Sequence, residues 1–243
     1  MKRMLTLLLS LLMLCSAALA EASSYSPEMT ALKTANALMY EKYGFTWRTL
    51  GVLSAEITPA DSSATVTYRS YLLPASRMGE YTVTISGGQA NITWTHEGAD
   101  AAQWQSGDPE SPIWGAAQVE IYLAQGGGER SRWLKPYFAA NEQQADPPPM
   151  YGDRFSIAPH NDGDIPLEQA RSAADAALTD IFALSADDAS KLDRTVDACA
   201  VQSEDGRRLW SLTYADYESC FYIHIDAATG EVVYITHQAG GNG

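Results

Sequence analysis

Basic residues are scarce in this chain. It has 16 Lys and Arg against 30 Asp and Glu, for a net charge of −14. No dense basic patch is present to neutralise phosphates, which excludes nucleic acid and anionic membrane surfaces as partners. Long apolar runs are scarce too. The one at the start, Leu5 to Leu14, is too short to span a membrane, which takes about 20 apolar residues. It lies between Lys2-Arg3 and Ala18-Leu19-Ala20, the layout of a signal peptide cut after Ala20. A lipoprotein reading through Cys15 meets Leu14 where a small residue is wanted. The mature protein is therefore expected to be secreted or extracytoplasmic, with no transmembrane segment. Without Lys2 and Arg3 the net charge moves from −14 to −16.

Cysteine is rarer still, with 3 in the chain, of which Cys15 leaves with the leader. Cys199 and Cys220 form a possible disulfide, as two cysteines in an exported chain suggest. Geometry argues against it. A simple meander puts them on the first and third strands of one sheet, roughly 9–10 Å apart, whereas a disulfide needs Cα atoms nearer than about 7 Å. The bridge stays open at this point.

Catalytic signatures are missing as well. The chain has no Gly-x-Ser-x-Gly elbow, no His-Glu-x-x-His helix and no phosphate-binding loop. No catalytic residue, metal site or cofactor is expected. The histidines His96, His160, His224 and His237 are spread along the sequence. Cys220 and His224 share a strand but lie about 13 Å apart by strand rise, too far for a base to activate a thiol. His224 and Asp226 share a strand face but lack a third metal ligand. The stretch HNDGDIP, residues 160–166, lacks the alternating acids of a calcium loop. It reads as a turn at Asp162-Gly163 with Asp164 capping a helix that starts at Ile165. GGGER, residues 126–130, reads as loop.

What is present is regular. Ser26-Pro27-Glu28 supplies a cap, a proline at the first helical position and an acid in the first turn. Met29, Leu32, Ala35, Leu38 and Met39 then recur at helical spacing up to a stop at Gly44. Strand patterns follow at Leu50–Ile57, Ala64–Leu72, Glu80–Ile85 and Ala90–Thr95, the last two split by Ser86-Gly87-Gly88-Gln89. The second half repeats the order. A helix from Ile165 carries Leu167, Ala170, Ala174, Ala177, Leu178 and Ile181, and a shorter helical piece is capped by Ser185. Strands read at Thr195–Gln202, Arg208–Ala215, Cys220–Asp226 and Glu231–Thr236. YTVTISGGQANITW falls on FYIHIDAATGEVVYI at an offset of about 140 residues, and ANALMYEKYGF falls on ADAALTDIFAL at nearly the same offset.

The expected fold is α+β, with two cystatin-like modules, each a helix packed on an antiparallel β-meander of about four strands, joined by a partly helical connector. Residues 1–20 are the signal peptide, 21–97 the N-terminal module, 98–164 the connector, 165–238 the second module and 239–243 a flexible tail. In the connector, residues 111–125 predict a helix with Ile113, Ala117, Ile121 and Ala124 inward. DPPPMYGD, residues 146–153, is a linker, because consecutive prolines stay extended.

The second half resembles the PepSY family, small extracytoplasmic modules of bacterial metallopeptidase propeptides. The residues that carry the resemblance are IPLEQARSAADAAL (165–178), GRRLWSLTY (206–214) and above all YIHIDAATGEVVYI (222–235). Residues 28–95 resemble it only faintly, because ISGGQANI lacks the Asp-Ala-x-Thr-Gly turn. Read physically, Asp226, Thr229 and Gly230 are turn residues. The two side chains accept backbone N–H groups, and the glycine takes a left-handed conformation. The resemblance implies a binding module that inhibits or assists secreted or cell-wall-associated peptidases or hydrolases. An alternative reading is an envelope small-ligand or glycan-binding module that uses an aromatic surface in the connector. Its candidates are Trp104, Trp114, Trp133 and Tyr137.

Overall fold

A computed structural model of the chain describes residues 24–70, 78–96, 113–124, 155–157, 161–203, 205–216 and 219–239. Helix α1 (Pro27–Tyr43) begins the described fold, and its start follows the sequence. The Ser26 hydroxyl accepts the Met29 N–H at 3.3 Å, Pro27 occupies the first turn, and the helix ends in left-handed Gly44 at φ 70°. Next comes a turn not expected from sequence, α2 (Trp47–Leu50). Thr46 and Thr49 cap each other reciprocally, with the Thr49 N–H on Thr46 Oγ1 at 3.3 Å and the Thr46 N–H on Thr49 Oγ1 at 2.7 Å. That box holds residues 47–50 helical, so the first strand starts at Leu53 and not at Leu50.

Strands β1 (Leu53–Ala60), β2 (Ser63–Ser70), β3 (Glu80–Ser86) and β4 (Gln89–Thr95) form an antiparallel meander in that order. Gly87 at φ 58° and Gly88 at φ 76° turn β3 into β4, the pair of positive φ angles that matches strand twist in a two-residue hairpin. Helix α3 (Ala116–Ala124) packs on α2. Its inward face differs from the expected one. Ile113, Trp114, Ala116 and Val119 are buried, while Ala117 and Ala124 are exposed.

The second module repeats the plan with helices α4 (Leu167–Phe182) and α5 (Ala186–Lys191). A short β5 (Phe155–Ile157) precedes them, and β6 (Asp193–Ser203), β7 (Arg208–Ala215), β8 (Ser219–Asp226) and β9 (Val232–Ala239) follow. The sheet order is β5-β6-β7-β8-β9, so it has five strands. The extra one comes from the connector, where Ile157 pairs with Val201 on the edge of β6. The fold is therefore mixed α+β, two modules each of a helix followed by an antiparallel meander.

Asp164 does not cap α4. Pro166 occupies that position without a side-chain cap. Asp164 closes its own turn instead, accepting the Asn161 N–H at 2.8 Å, and forms an ion pair with Arg208. A proline at the cap fixes φ but offers no acceptor, which freed the neighbouring acid for another partner.

The two modules end their helices alike. Gly44 and Ala183 both sit left-handed just after their helices, at φ 70° and 53°. The next residue then folds back in both copies, Phe45 N–H onto Met39 O at 3.4 Å and Leu184 N–H onto Leu178 O at 3.3 Å. Tyr81 and Phe221 match as well, each fully buried on its third meander strand.

One hydrophobic core serves both modules. Helix α4 buries Ala170, Ala174, Ala177, Leu178, Ile181 and Phe182 against β7, β8 and β9 of its own sheet and against α1. Helix α1 buries Ala31, Leu32, Ala35, Asn36 and Met39, too wide a set for one stripe. The second side is accounted for by its neighbours, since α1 contacts β1, β2 and β4 of its own sheet and also α4 and β9.

Candidate functional site

The junction between the modules is built around the C-terminus of α4. A helix ends with carbonyl groups that have no partner inside the helix, and here the other module supplies the donors. Asn36 of α1, fully buried, donates Nδ2–H to Ile181 O at 2.9 Å. Tyr40 donates its hydroxyl to Phe182 O at 3.1 Å. Asn36 Oδ1 in turn accepts the Tyr68 hydroxyl from β2 at 2.6 Å. A buried relay thus runs from the first sheet through α1 to the end of α4. Leaving one of its members unsatisfied would cost about 1–3 kcal/mol. The sequence signal for Asn36 was a polar residue inside the apolar run ANALM, which the helical periodicity passed over.

Beside the relay lies an aromatic cluster. Phe221 and His237 stack with ring centroids 4.3 Å apart, Phe182 meets Phe221 edge-on at 5.4 Å, and Trp47 lies 5.5 Å from His237. The Arg48 guanidinium covers the Trp47 ring at 5.2 Å. His237 is 4% exposed, and neither ring nitrogen has a hydrogen bond of good geometry, although the Trp47 backbone approaches the ring. Burial drives its pKa down to about 3, and Arg48 adds to the effect. His237 therefore stays neutral at ordinary pH.

His237 also lines a narrow crevice. Leu53, Ala55 and Ile57 of β1 form one wall, and Tyr234, Ile235 and Thr236 of β9 form the other with His237. Leu32 and Asn36 of α1 lie beneath. The lining is mixed, with Leu32, Leu53, Ile57 and Ile235 apolar and Thr236 and His237 polar.

The C-terminal hairpin is the most regular feature of the sequence, and its turn has a structural explanation. Asp226 Oδ1 accepts the N–H groups of Ala228 and Thr229, both at 2.9 Å, Thr229 Oγ1 accepts the Glu231 N–H at 3.2 Å, and Gly230 sits at φ 80°. Arg207 bridges Asp226 at 2.6 Å and Glu231 at 3.0 Å. Burial raises the Asp226 carboxyl, but Arg207 and the turn N–H groups outweigh it and hold it below the usual carboxylate value. Ala227 O accepts the Ile165 N–H at 2.7 Å, and Ile165 O accepts the Trp210 indole N–H at 2.9 Å. The turn fastens the entry of α4 to its own sheet.

The other sequence candidates are dispersed. Cys199 lies on β6 opposite Ser211, and Cys220 lies on β8 opposite Ala215, with β7 between them. The possible disulfide is not formed. The two residues are separated by a strand and are also out of register by four residues along β7, well beyond bridging distance. Burial raises the Cys220 thiol pKa. His224 is buried on β8 between Ser211 and Tyr234 and is held neutral, with its pKa lowered by burial to about 4. Among the described residues no group of three or more His, Cys, Asp or Glu could hold a metal ion. Trp114 is not a surface aromatic. It is 2% exposed and packs in the shared core. Trp104, Trp133, Tyr137, His160, the GGGER loop, the Pro-rich linker and the expected signal peptide lie outside the described residues. Among those described, no helix is long and apolar enough to cross a membrane.

No protein-family model matches the chain. No curated protein matches it. Among solved structures the chain is similar to the Bacillus megaterium YpeB C-terminal domain, at 10% identity and a TM-score of 0.20, over 88% of this chain and 66% of that one. The chain thus spans just under two thirds of that structure's length.

Proposed function

We propose that the chain is an exported, non-catalytic, PepSY-like protein that binds a secreted or cell-wall-associated peptidase or hydrolase and modulates it. The observation that carries the reading is the helix-plus-meander module closed by the Asp226–Gly230 turn. There the Ile-Asp-Ala-x-Thr-Gly residues that resemble the family make the hairpin and fasten it to α4. Those residues are occupied in holding the fold together, which leaves binding to surfaces elsewhere. The surplus of acidic residues adds a preference for a partner with a basic surface. The burial of Trp114 removes one of the four aromatics on which a glycan-binding surface would draw.

The test uses protein beginning at Glu21, added to the secreted and wall fractions of the producing cell. Casein hydrolysis and release of labelled wall fragments are followed, and bound protein is then recovered and identified. The expected result is a dose-dependent change in one of these activities, with the responsible enzyme among the recovered proteins. No change in either activity at excess protein would remove the proposal.

A further inference from the structure

The first sheet leaves one face bare. α1 lies on its inner face, against β1, β2 and β4. The outer face is rich in threonine. β2, β3 and β4 each carry a Thr-x-Thr, as Thr65-Val66-Thr67, Thr82-Val83-Thr84 and Thr93-Trp94-Thr95, and alternate residues of a strand share a face. The register sets these side chains in rows. Thr58, Thr65, Thr84 and Asn91 lie side by side across the four strands, and Glu56, Thr67, Thr82 and Thr93 form the next row. Neighbours in a row stand about 4.8 Å apart, and the rows about 6.7 Å apart. Thr58, Thr84, Asn91, Thr93 and Thr95 are exposed.

Threonine is a strand former, so its presence alone says little. The charge says more. Glu56, Arg69 and Glu80 are the charged side chains of this face, and Arg69 pairs with both acids, at 2.8 Å to Glu56 and 2.6 Å to Glu80. The threonine field is therefore uncharged, on a chain of net −14. The acidic surroundings repel an anionic polymer, and a cationic partner is drawn to the acids instead. What fits the field is a neutral ligand that both donates and accepts hydrogen bonds, as a threonine hydroxyl does. The open face encloses no single sugar, but one row spans about 14 Å, room for several sugars of an extended chain.

We propose that the outer face of the first sheet binds an uncharged, extended polysaccharide laid across the strands along the threonine rows. The hydroxyls of Thr65, Thr67, Thr82 and Thr84 exchange hydrogen bonds with sugar hydroxyls, and their methyl groups meet the C–H faces of the rings. Each contact is weak, so retention comes from many contacts along one polymer. The site uses none of the connector aromatics, and it stands apart from any surface that modulates a hydrolase.

The test runs protein from Glu21 onward through native gels containing hydroxyethylcellulose or carboxymethylcellulose, which share a backbone and differ in charge. Hydroxyethylcellulose retards the protein and carboxymethylcellulose does not. Thr65→Val, Thr67→Val, Thr82→Val and Thr84→Val combined keep the side-chain shape and remove the hydroxyls. That variant binds more weakly by roughly tenfold or more, while circular dichroism stays unchanged. Thr84→Glu, which sets a charge in the field from an exposed position, weakens binding as well. No retardation of the parent overturns the proposal, as does equal retardation of the valine variant, or of the parent in both gels. A dimer in sedimentation velocity that the valine variant abolishes gives the face to a second copy and overturns it too.

Discussion

His224 and His237 make the fold acid-labile in a defined pH window. Both are buried, and their pKa values fall from 6.5 to about 4 and about 3 in the folded state. A base whose folded pKa is depressed stays neutral in the native state but takes up a proton on unfolding. Its contribution is therefore fully present above pH 6.5 and is lost as pH falls below it, at about 1.4 kcal/mol per unit for each residue. Between pH 6.5 and 4.5 the two together remove about 5 kcal/mol, a large part of a typical stability of about 5–15 kcal/mol. The charged groups nearby do not reverse the sign. Arg48 disfavours a second cation at His237, and Asp226, on the strand face of His224, is already paired with Arg207. Asp188 and Asp226 have lowered pKa values, so their stabilisation is lost only as pH falls through the carboxylate range. The window above it isolates the histidines. Urea unfolding followed by tryptophan fluorescence at steps from pH 7 to 4.5 measures the loss. His237→Phe keeps an aromatic ring in the stack of Phe182, Phe221 and Trp47, and it should halve the slope. A midpoint that stays flat across this range refutes the reasoning, as does a His237→Phe slope equal to that of the parent.

Three further outcomes follow from particular residues. Ala183 is exposed and left-handed at φ 53°, so Ala183→Gly relieves strain without loss of contact and should stabilise by about 1 kcal/mol in urea unfolding. Asn36→Ala strips the relay between Tyr68 and Ile181 O and should destabilise by about 2–4 kcal/mol, a cavity and an unsatisfied carbonyl combined; a loss below 1 kcal/mol, on the order of a surface change, would mean water replaces the amide. Two thiols should titrate with a thiol reagent in denaturant without reductant, and dithiothreitol should leave the melting temperature unchanged, because Cys199 and Cys220 are not bridged.

The fold was legible where one local rule acted alone. The Ser26 cap, the Gly87-Gly88 hairpin, the alternation of β7 and the turn residues Asp226, Thr229 and Gly230 each answer to sequence-adjacent chemistry. Misreadings arose where two signals competed. At Leu50 the apolar start of a strand pattern met a two-threonine capping box, and the box held that residue in a helical turn. At Asp164 a cap residue stood two positions from a proline that took the cap itself. In α3 the apolar residues lay all round the helix, so periodicity could not choose the face that α2 would cover. The junction was beyond local reading, because Asn36 is explained by the Ile181 carbonyl, 145 residues away, and the Tyr68 hydroxyl, 32 residues away.

That distance bears on how the two modules relate. In the first module left-handed Gly44 ends α1 without strain, and the helix carries a basic side chain, Lys42, in its last turn. In the second, α4 has no basic residue in its last turn and an alanine at the left-handed position. An isolated second module would thus have a poorly finished helix, with Ile181 and Phe182 carbonyls left to water. Asn36 and Tyr40 of α1 finish it. The first module, in turn, would expose the side of α1 that meets α4 and β9. Each module lacks what the other supplies, and neither is built to fold alone. The wall of the crevice that β9 forms and the wall that β1 forms are therefore held at a fixed separation by the same contacts that complete α4.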